Sequence, residues 1–207
     1  MPLNDAGRNA MLTGGLGNVI SHISLHSGDP STTGANELAG GSPAYSRVAV
    51  TWNAAASGLR TNNGALVFNV PTATTVLHVG FWSAISAGTN YGYSPVGAAS
   101  YAVQAATFLA STDVFTSYAH GYNNDDRILV YDVGGAGVPT GFTEGTVYFV
   151  VATATDTFQL SATSGGASVA GTTNGEVAVQ RCTPEVFGAQ GTYTIADTAL
   201  VLNAQLV

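Results

Sequence analysis

Glycine, proline and asparagine interrupt this chain so often that long regular elements have almost nowhere to form. With 26 glycines and 7 prolines among 207 residues, the strands expected between the turns are near the five or six residues of an average strand. "SRVAVTW" (46–52), "ALVFNV" (65–70) and "TVLHVGFWS" (75–83) are rich in β-branched and aromatic residues, and strands are expected again at 191–195 and 199–203. Short strands separated by turn residues are the pattern of a sandwich or barrel. The exception is "LNDAGRNAML" (3–12), where Asn4 or Asp5 can cap a helix and Leu3, Ala6, Ala10 and Met11 form a weak apolar stripe. Gly14, Gly15 and Gly17 are expected to stop it. From Val19 the alternation of "VISHISLHS" reads as a strand. The connection that follows, "GDPSTTGANELAGGSPAY", is too rich in turn residues for a regular element.

The texture changes near residue 104. Four or five strands rich in Val, Phe, Tyr and Thr are expected in "ATFLASTDVFTSYAHGYNNDDRILVYDV" and "GTVYFVVATATDTFQLSATSGG", with the glycine-rich run 134–141 as a long hairpin loop. Most of the acidic residues also fall here. The expected architecture is all-β: an antiparallel β-sandwich, jelly-roll-like, with a short N-terminal helix and an inserted small β-domain. The outer domain comprises 1–103 and the closing strands 185–207, with the inserted module at 104–184. Insertion into an exposed loop is well tolerated because such loop ends lie close together. No period of 20–50 residues recurs, which excludes a solenoid or propeller.

Charge narrows the function. The formal net charge is −7, only 8% of residues are charged, and the cations are five arginines with no lysine. No basic run exists, which argues against nucleic acid and against an anionic membrane surface. No segment approaches the roughly 20 apolar residues of a membrane span, and the N-terminus lacks a signal-peptide pattern. Cys182 stands alone, so no internal disulfide or cysteine zinc site is expected. Synthesis in a cytosol follows as the expectation. A surface of short uncharged side chains loses little rotamer entropy on contact, which suits burial against other subunits.

The candidate sites are few. His22 and His26 stand four apart, a metal-clamping spacing on a helix but about 13 Å apart on a strand, too far for one ion. The β-branched neighbours favour the strand, with the histidines on its more polar face. Asp29 before Pro30 reads as a turn whose carboxylate bonds amides two residues on. "HGYNNDDR" (120–127) offers Asp125 and Asp126 with Asn123 and Asn124, but without calcium-loop spacing. It reads as a hairpin turn with a solvated tip. Trp52, Phe81, Trp82, Tyr91 and Tyr93 are candidates for stacking on sugars or for subunit contact. Phe81 and Trp82 should point to opposite faces. No catalytic, cofactor or metal residues are assigned.

Several motifs carry a family resemblance. "LNDAGRNAML", Leu25–Pro30 (L-H-x-G-D-P), Ala35–Glu37 with Tyr45–Arg47 (A-N-E, Y-x-R), His78–Trp82 (H-x-G-x-W) and the closing "FGAQGTYTIADTALVLN" resemble minor tail or tail-fibre-like virion proteins of bacteriophages, particularly those of actinobacterial hosts. The inserted segment is similar to a small β-module of phage structural proteins, matching at His120–Gly121, Asp126–Arg127, Pro139–Gly141, Gly145, Tyr148, Val150 and Asp156–Gly166, with Val138 and Phe142 standing where leucines are common. The resemblance implies a non-enzymatic virion component, oligomeric and bound to other virion proteins. Its place would be the tail, or the capsid surface as a decoration protein. A host cell-surface glycan is the further partner if the insert recognises the host. Its motif residues read as turn and core determinants.

Overall fold

A computed structural model describes residues 4–97 and 103–203. The chain divides into two compact units, Met1–Ala99 with Pro184–Val207, and Ser100–Thr183. Both are built from antiparallel strands.

The first unit opens with helix α1 (Asp5–Gly14), whose N-cap is Asn4; its side chain accepts from the Gly7 N–H at 2.9 Å. Leu12 is buried, while Ala6, Ala10 and Met11 are exposed, so the expected stripe is not the face the helix buries. Leu3, its first member, lies outside the described residues. Gly15 ends α1, but a second turn, α2 (Leu16–Val19), follows at once. Gly17 therefore does not stop a helix. A Cβ there would run into the Arg60 guanidinium and the Leu12 carbonyl, so this glycine permits close packing. It also takes Val19 out of the expected strand.

Strand β1 (His22–His26) pairs along its length with β6 (His78–Trp82) and at its start with β2 (Val48–Ala49). Strand β7 (Asn90–Pro95) completes the sheet β2-β1-β6-β7, with a bulge opposite Phe81 and Trp82. Three two-stranded ribbons are formed by β3 (Leu59–Thr61), β4 (Leu66–Val70) and β5 (Thr74–Val76). Their partners come from the end of the chain: β14 (Glu185–Phe187) with β5, β15 (Gly191–Ile195) with β4, and β16 (Val201–Asn203) with β3. Ile23 and Leu25 of β1 and Val79 of β6 pack one face of the sheet into a core with Phe68, Val70, Val76 and Ile195.

The second unit is a closed barrel of six strands: β8 (Gln104–Leu109), β9 (Val114–Thr116), β10 (Arg127–Asp132), β11 (Val147–Val151), β12 (Thr157–Ser161) and β13 (Gly175–Cys182). Their order is β10-β11-β12-β9-β8-β13, and β13 pairs back onto β10. Closure removes the open edges that otherwise invite aggregation. Alternating residues fill the interior, where Phe108, Phe115, Phe142 and Phe158 make a continuous ring cluster with centroids 4.7–5.3 Å apart. The run 134–141 lies in the β10–β11 connection, as expected for a hairpin loop.

Candidate functional site

The side of the first sheet that faces away from the apolar core carries His22, Ser24 and His26 from β1 and His78, Gly80 and Trp82 from β6. Such a face would ordinarily meet water. Here the turn-rich segment between β1 and β2 covers it, with Gly34 against the Trp82 indole, where any Cβ would collide with the ring. Ser24, His26 and His78 are fully buried. The segment His22–His26 is a strand, and its two histidines differ: His26 is sealed inside, while His22 is partly exposed.

The buried polar atoms are matched in sequence. The Trp82 Nε1–H donates to Ser24 Oγ at 2.8 Å. Indole has no other role in hydrogen bonding, so the Ser24 hydroxyl spends its proton on His26 Nε2, 2.6 Å away. Nδ1 of His26 then carries the ring proton and donates to the Ala35 carbonyl at 2.6 Å. Acceptance at Nε2 requires a neutral imidazole. Burial lowers the His26 pKa, outweighing the Ala35 carbonyl and Glu37, which pull it up. A Cβ on Gly80 would sit 2.6 Å from His26 Nε2 and closer still to Ser24 Oγ, so the glycine of the H-x-G-x-W motif makes room for this chain of bonds.

Above the indole lies Arg47, its guanidinium 3.4 Å from the ring centroid. It donates bidentately to Glu37, at 2.8 Å to Oε1 and 2.7 Å to Oε2. Its remaining reach goes to the carbonyls of Ala84, at 3.0 Å, and Ala87, at 2.7 Å, in the β6–β7 hairpin. The Tyr45 hydroxyl accepts from the Leu25 N–H at 2.8 Å and faces Glu37; burial pushes its pKa up. His78 has one partner, with Nδ1 at 3.1 Å from the Gly28 carbonyl. Its Nε2 is buried without a partner, its ring meets Tyr93 edge-on at 5.5 Å, and burial lowers its pKa to about 4.

All four motifs of the central outer domain thus meet in one network. The Ser24–His26 pair has the separation of a nucleophile and its base, yet both residues are fully buried and Nδ1 faces a carbonyl where a triad has a carboxylate. This is an architectural node. It fastens the covering segment and the β6–β7 hairpin to the sheet, and holds no surface that a substrate could reach.

The other candidates resolve into fasteners as well. The Asp29 carboxylate accepts from the Ser31 N–H at 2.8 Å, the turn expected from the sequence. Trp52 donates to the Ile20 carbonyl at 2.9 Å. Trp82 is buried while Phe81 is half-buried, so Trp82 is no platform for a sugar; Tyr91 is exposed in the bulge region. Asn123, Asn124 and Asp125 are exposed, as a solvated tip requires, but the turn joins β9 to β10, which do not pair with each other, so it is not a hairpin, and its carboxylates are held. Asp125 Oδ1 accepts from Ser164 Oγ at 2.6 Å and the Gly165 N–H at 3.0 Å, while Asp126 pairs with Arg181 and accepts from the Asn123 N–H at 2.7 Å. Among the described residues no three His, Cys, Asp or Glu side chains come together as a metal would require, and no helix is long and apolar enough to cross a membrane.

The chain therefore presents a buried architectural node in one β-unit and a closed barrel in the other, the features of a structural β-protein. Residues 19–121 match the family described as Podophage GP4 fiber I protein gp80. The match spans every residue of the node and runs into the barrel unit as far as Gly121. Over that stretch the chain is similar to a phage fibre protein, which supports a structural, tail-associated component of the virion. No curated protein and no solved structure matches.

Proposed function

We propose that this chain is a non-enzymatic structural subunit of a phage tail, working as a homo-oligomer that attaches to other virion proteins as a minor tail or fibre-associated protein. Assembly takes place in the host cytoplasm. The outer unit, with residues 1–103 and 185–207 as its two parts, makes the virion attachment, and the 104–184 module is carried as the outward part. The observation that carries this reading is the fibre-family match at residues 19–121, because it contains the whole node that sets the shape of the first unit. The near absence of charge supports it: short uncharged side chains favour burial between subunits over free solution. The actinobacterial lineage rests on the motif resemblance.

Immunogold electron microscopy of intact particles with antibody against this chain tests the assignment. Gold at the tail supports it, gold spread over the head makes the protein a capsid decoration, and particles without gold refute a virion role. Native mass spectrometry of the recombinant protein tests oligomerisation, and a monomer at micromolar concentration would count against it.

A further inference from the structure

Two asparagines in this chain are followed by glycine, Asn63 before Gly64 and Asn174 before Gly175. In such a pair the glycine nitrogen can close a five-membered ring on the side-chain amide carbon, because the second residue has no side chain to stand in the way. Asparagine is among the residues that limit a protein's chemical lifetime for this reason. The structure gives the two pairs opposite settings. Asn174 is fixed: its Oδ1 accepts from the Ala110 N–H at 2.9 Å, and Gly175 opens β13, paired with Phe108 of β8. Asn63 and Gly64 are exposed in the turn between β3 and β4. Thr51 holds the Asn63 backbone, accepting from its N–H at 2.8 Å and donating through Oγ1 to its carbonyl at 3.0 Å. No hydrogen bond among the described residues restrains the Asn63 side-chain amide. A Cβ on Gly64 would meet nothing within 4 Å, so water reaches the pair.

The Gly64 N–H donates to Asp197 Oδ1 at 2.8 Å. The nitrogen that would attack therefore already shares its proton with a carboxylate, supplied by the segment that leads into β16. Beside it, Asn62 is fully buried and ties the turn to that same segment. Its Nδ2 donates to the carbonyls of Gly64, at 2.8 Å, and Ala196, at 3.0 Å, and its Oδ1 accepts from the Leu200 N–H at 2.8 Å. A new charge or an extra main-chain atom at position 63 falls directly next to this tie.

We infer that Asn63–Gly64 is a self-modifying site, converting without an enzyme to isoaspartate, with Asp197 as the base and a loosened Asn62 tie as the result. The Gly64 nitrogen bonds to Asn63 Cγ while its proton passes to the Asp197 carboxylate. The Cγ–Nδ2 bond then breaks, and the nitrogen leaves as ammonia with the proton that Asp197 returns. Water opens the cyclic imide at either carbonyl, leaving an aspartyl or an isoaspartyl residue. Amide and water thus become acid and ammonia, with nothing oxidised or reduced. The isoaspartyl product runs the main chain through an additional carbon, and both products set a second carboxylate near Asp197, a like charge that disfavours the original turn.

The test is incubation of the full chain at neutral pH and physiological temperature. Peptide mass spectrometry follows the amide-to-acid mass gain at each asparagine, and methyl transfer by an isoaspartyl methyltransferase counts the isoaspartate. The expected result is steady conversion at Asn63 with Asn174 unchanged. Asp197→Asn keeps an oxygen to accept from the Gly64 N–H but removes the base. It should slow conversion about tenfold, short of the roughly hundredfold low end for a general base in an enzyme site. Tryptophan fluorescence checks that this variant is folded, since both tryptophans lie in the same unit. In converted protein the Leu200 amide should exchange its hydrogen faster than in fresh protein. Conversion at Asn63 no faster than at Asn174, or an unaltered rate in folded Asp197→Asn, overturns the inference, as does unchanged exchange at Leu200 after conversion.

Discussion

Lowering the pH from about 7.5 to about 5 should selectively destabilise the first unit, and His78 sets the size of the effect. The imidazole is fully buried. Desolvation is the main cause of its depressed pKa, opposed by Asp29 and the Gly28 carbonyl and reinforced by His26. Because folding lowers the pKa from 6.5 to about 4, the unfolded chain binds the proton more tightly. The stabilising preference for the neutral ring is fully present above the unfolded value and is lost as the pH falls toward the folded one. At pH 5 the unfolded state is almost wholly protonated at this position and the folded state hardly at all, a loss of about 2 kcal/mol. His26 is shifted in the same direction and adds to it. The chain has two tryptophans, Trp52 and Trp82, and both lie in the first unit, so urea unfolding followed by tryptophan fluorescence isolates the effect. The midpoint should fall between the two pH values, and His78→Gln should flatten the dependence whatever its effect on stability at pH 7.5. A wild-type loss below about 0.5 kcal/mol, or an undiminished slope in His78→Gln, would refute the reasoning.

Three further outcomes follow from the packing. Gly80→Ala places a methyl group among Ser24 Oγ, His26 Nε2 and Trp82 Nε1; overpacking there should cost about 2–3 kcal/mol, read by the same fluorescence assay. Arg47→Lys keeps the charge but forfeits the bidentate bond to Glu37 and the stacking on Trp82, and a loss of about 2 kcal/mol is expected; an unchanged urea midpoint would deny the guanidinium its clamping role. Phe115→Ala empties the centre of the barrel's ring cluster and should cost about 3–5 kcal/mol. Hydrogen exchange should show that loss in the β8–β13 amides while the tryptophan-detected transition of the first unit stays in place.

How far the sequence displayed this structure depends on the range of the interaction involved. Period-two alternation located 65–70 and 191–195 as strands, since β-branched residues and flanking turns are local signals. That these two strands pair with each other, as β4 and β15 do, is a contact across more than a hundred residues and leaves no mark on either run. The strand most easily overlooked was Gly175–Cys182, the eight-residue β13 that closes the barrel. Its Val177 and Val179 do alternate inward, but Gln180 is buried beside Val179 and blurs the period. The node was less legible still. Ser24, His26 and His78 carry the residue types of a solvated strand face, and what buries them is an irregular connection with no periodicity to read. The motifs were visible as a shared pattern, while their convergence on one indole was not.

The scarcity of charge acquires a physical meaning from where the charges sit. Arg47 clamps Glu37 and two carbonyls. Arg60 donates to the carbonyls of Asn53, at 2.8 Å, and Leu12, at 3.0 Å. Arg181 joins Asp126 to the Gly121 carbonyl, and Arg8 pairs with Asp5 on α1. Several carboxylates do the complementary work, accepting from backbone N–H groups at turns: Asp29 from Ser31, Asp113 from Gly171, Asp156 from Ala119 and Asp197 from Gly64. Arginine suits such positions because its planar fork reaches several acceptors at once, whereas lysine offers one point charge. The chain keeps a net charge of −7, but it is spread over few charged residues. Its outer surface is consequently left to Gly, Ser, Thr and Val, the last including Val67 and Val186 exposed on the two-stranded ribbons. Such a surface resists association only weakly. In this chain the economy of charge that holds the irregular loops in place also leaves the surface with few charges to resist association.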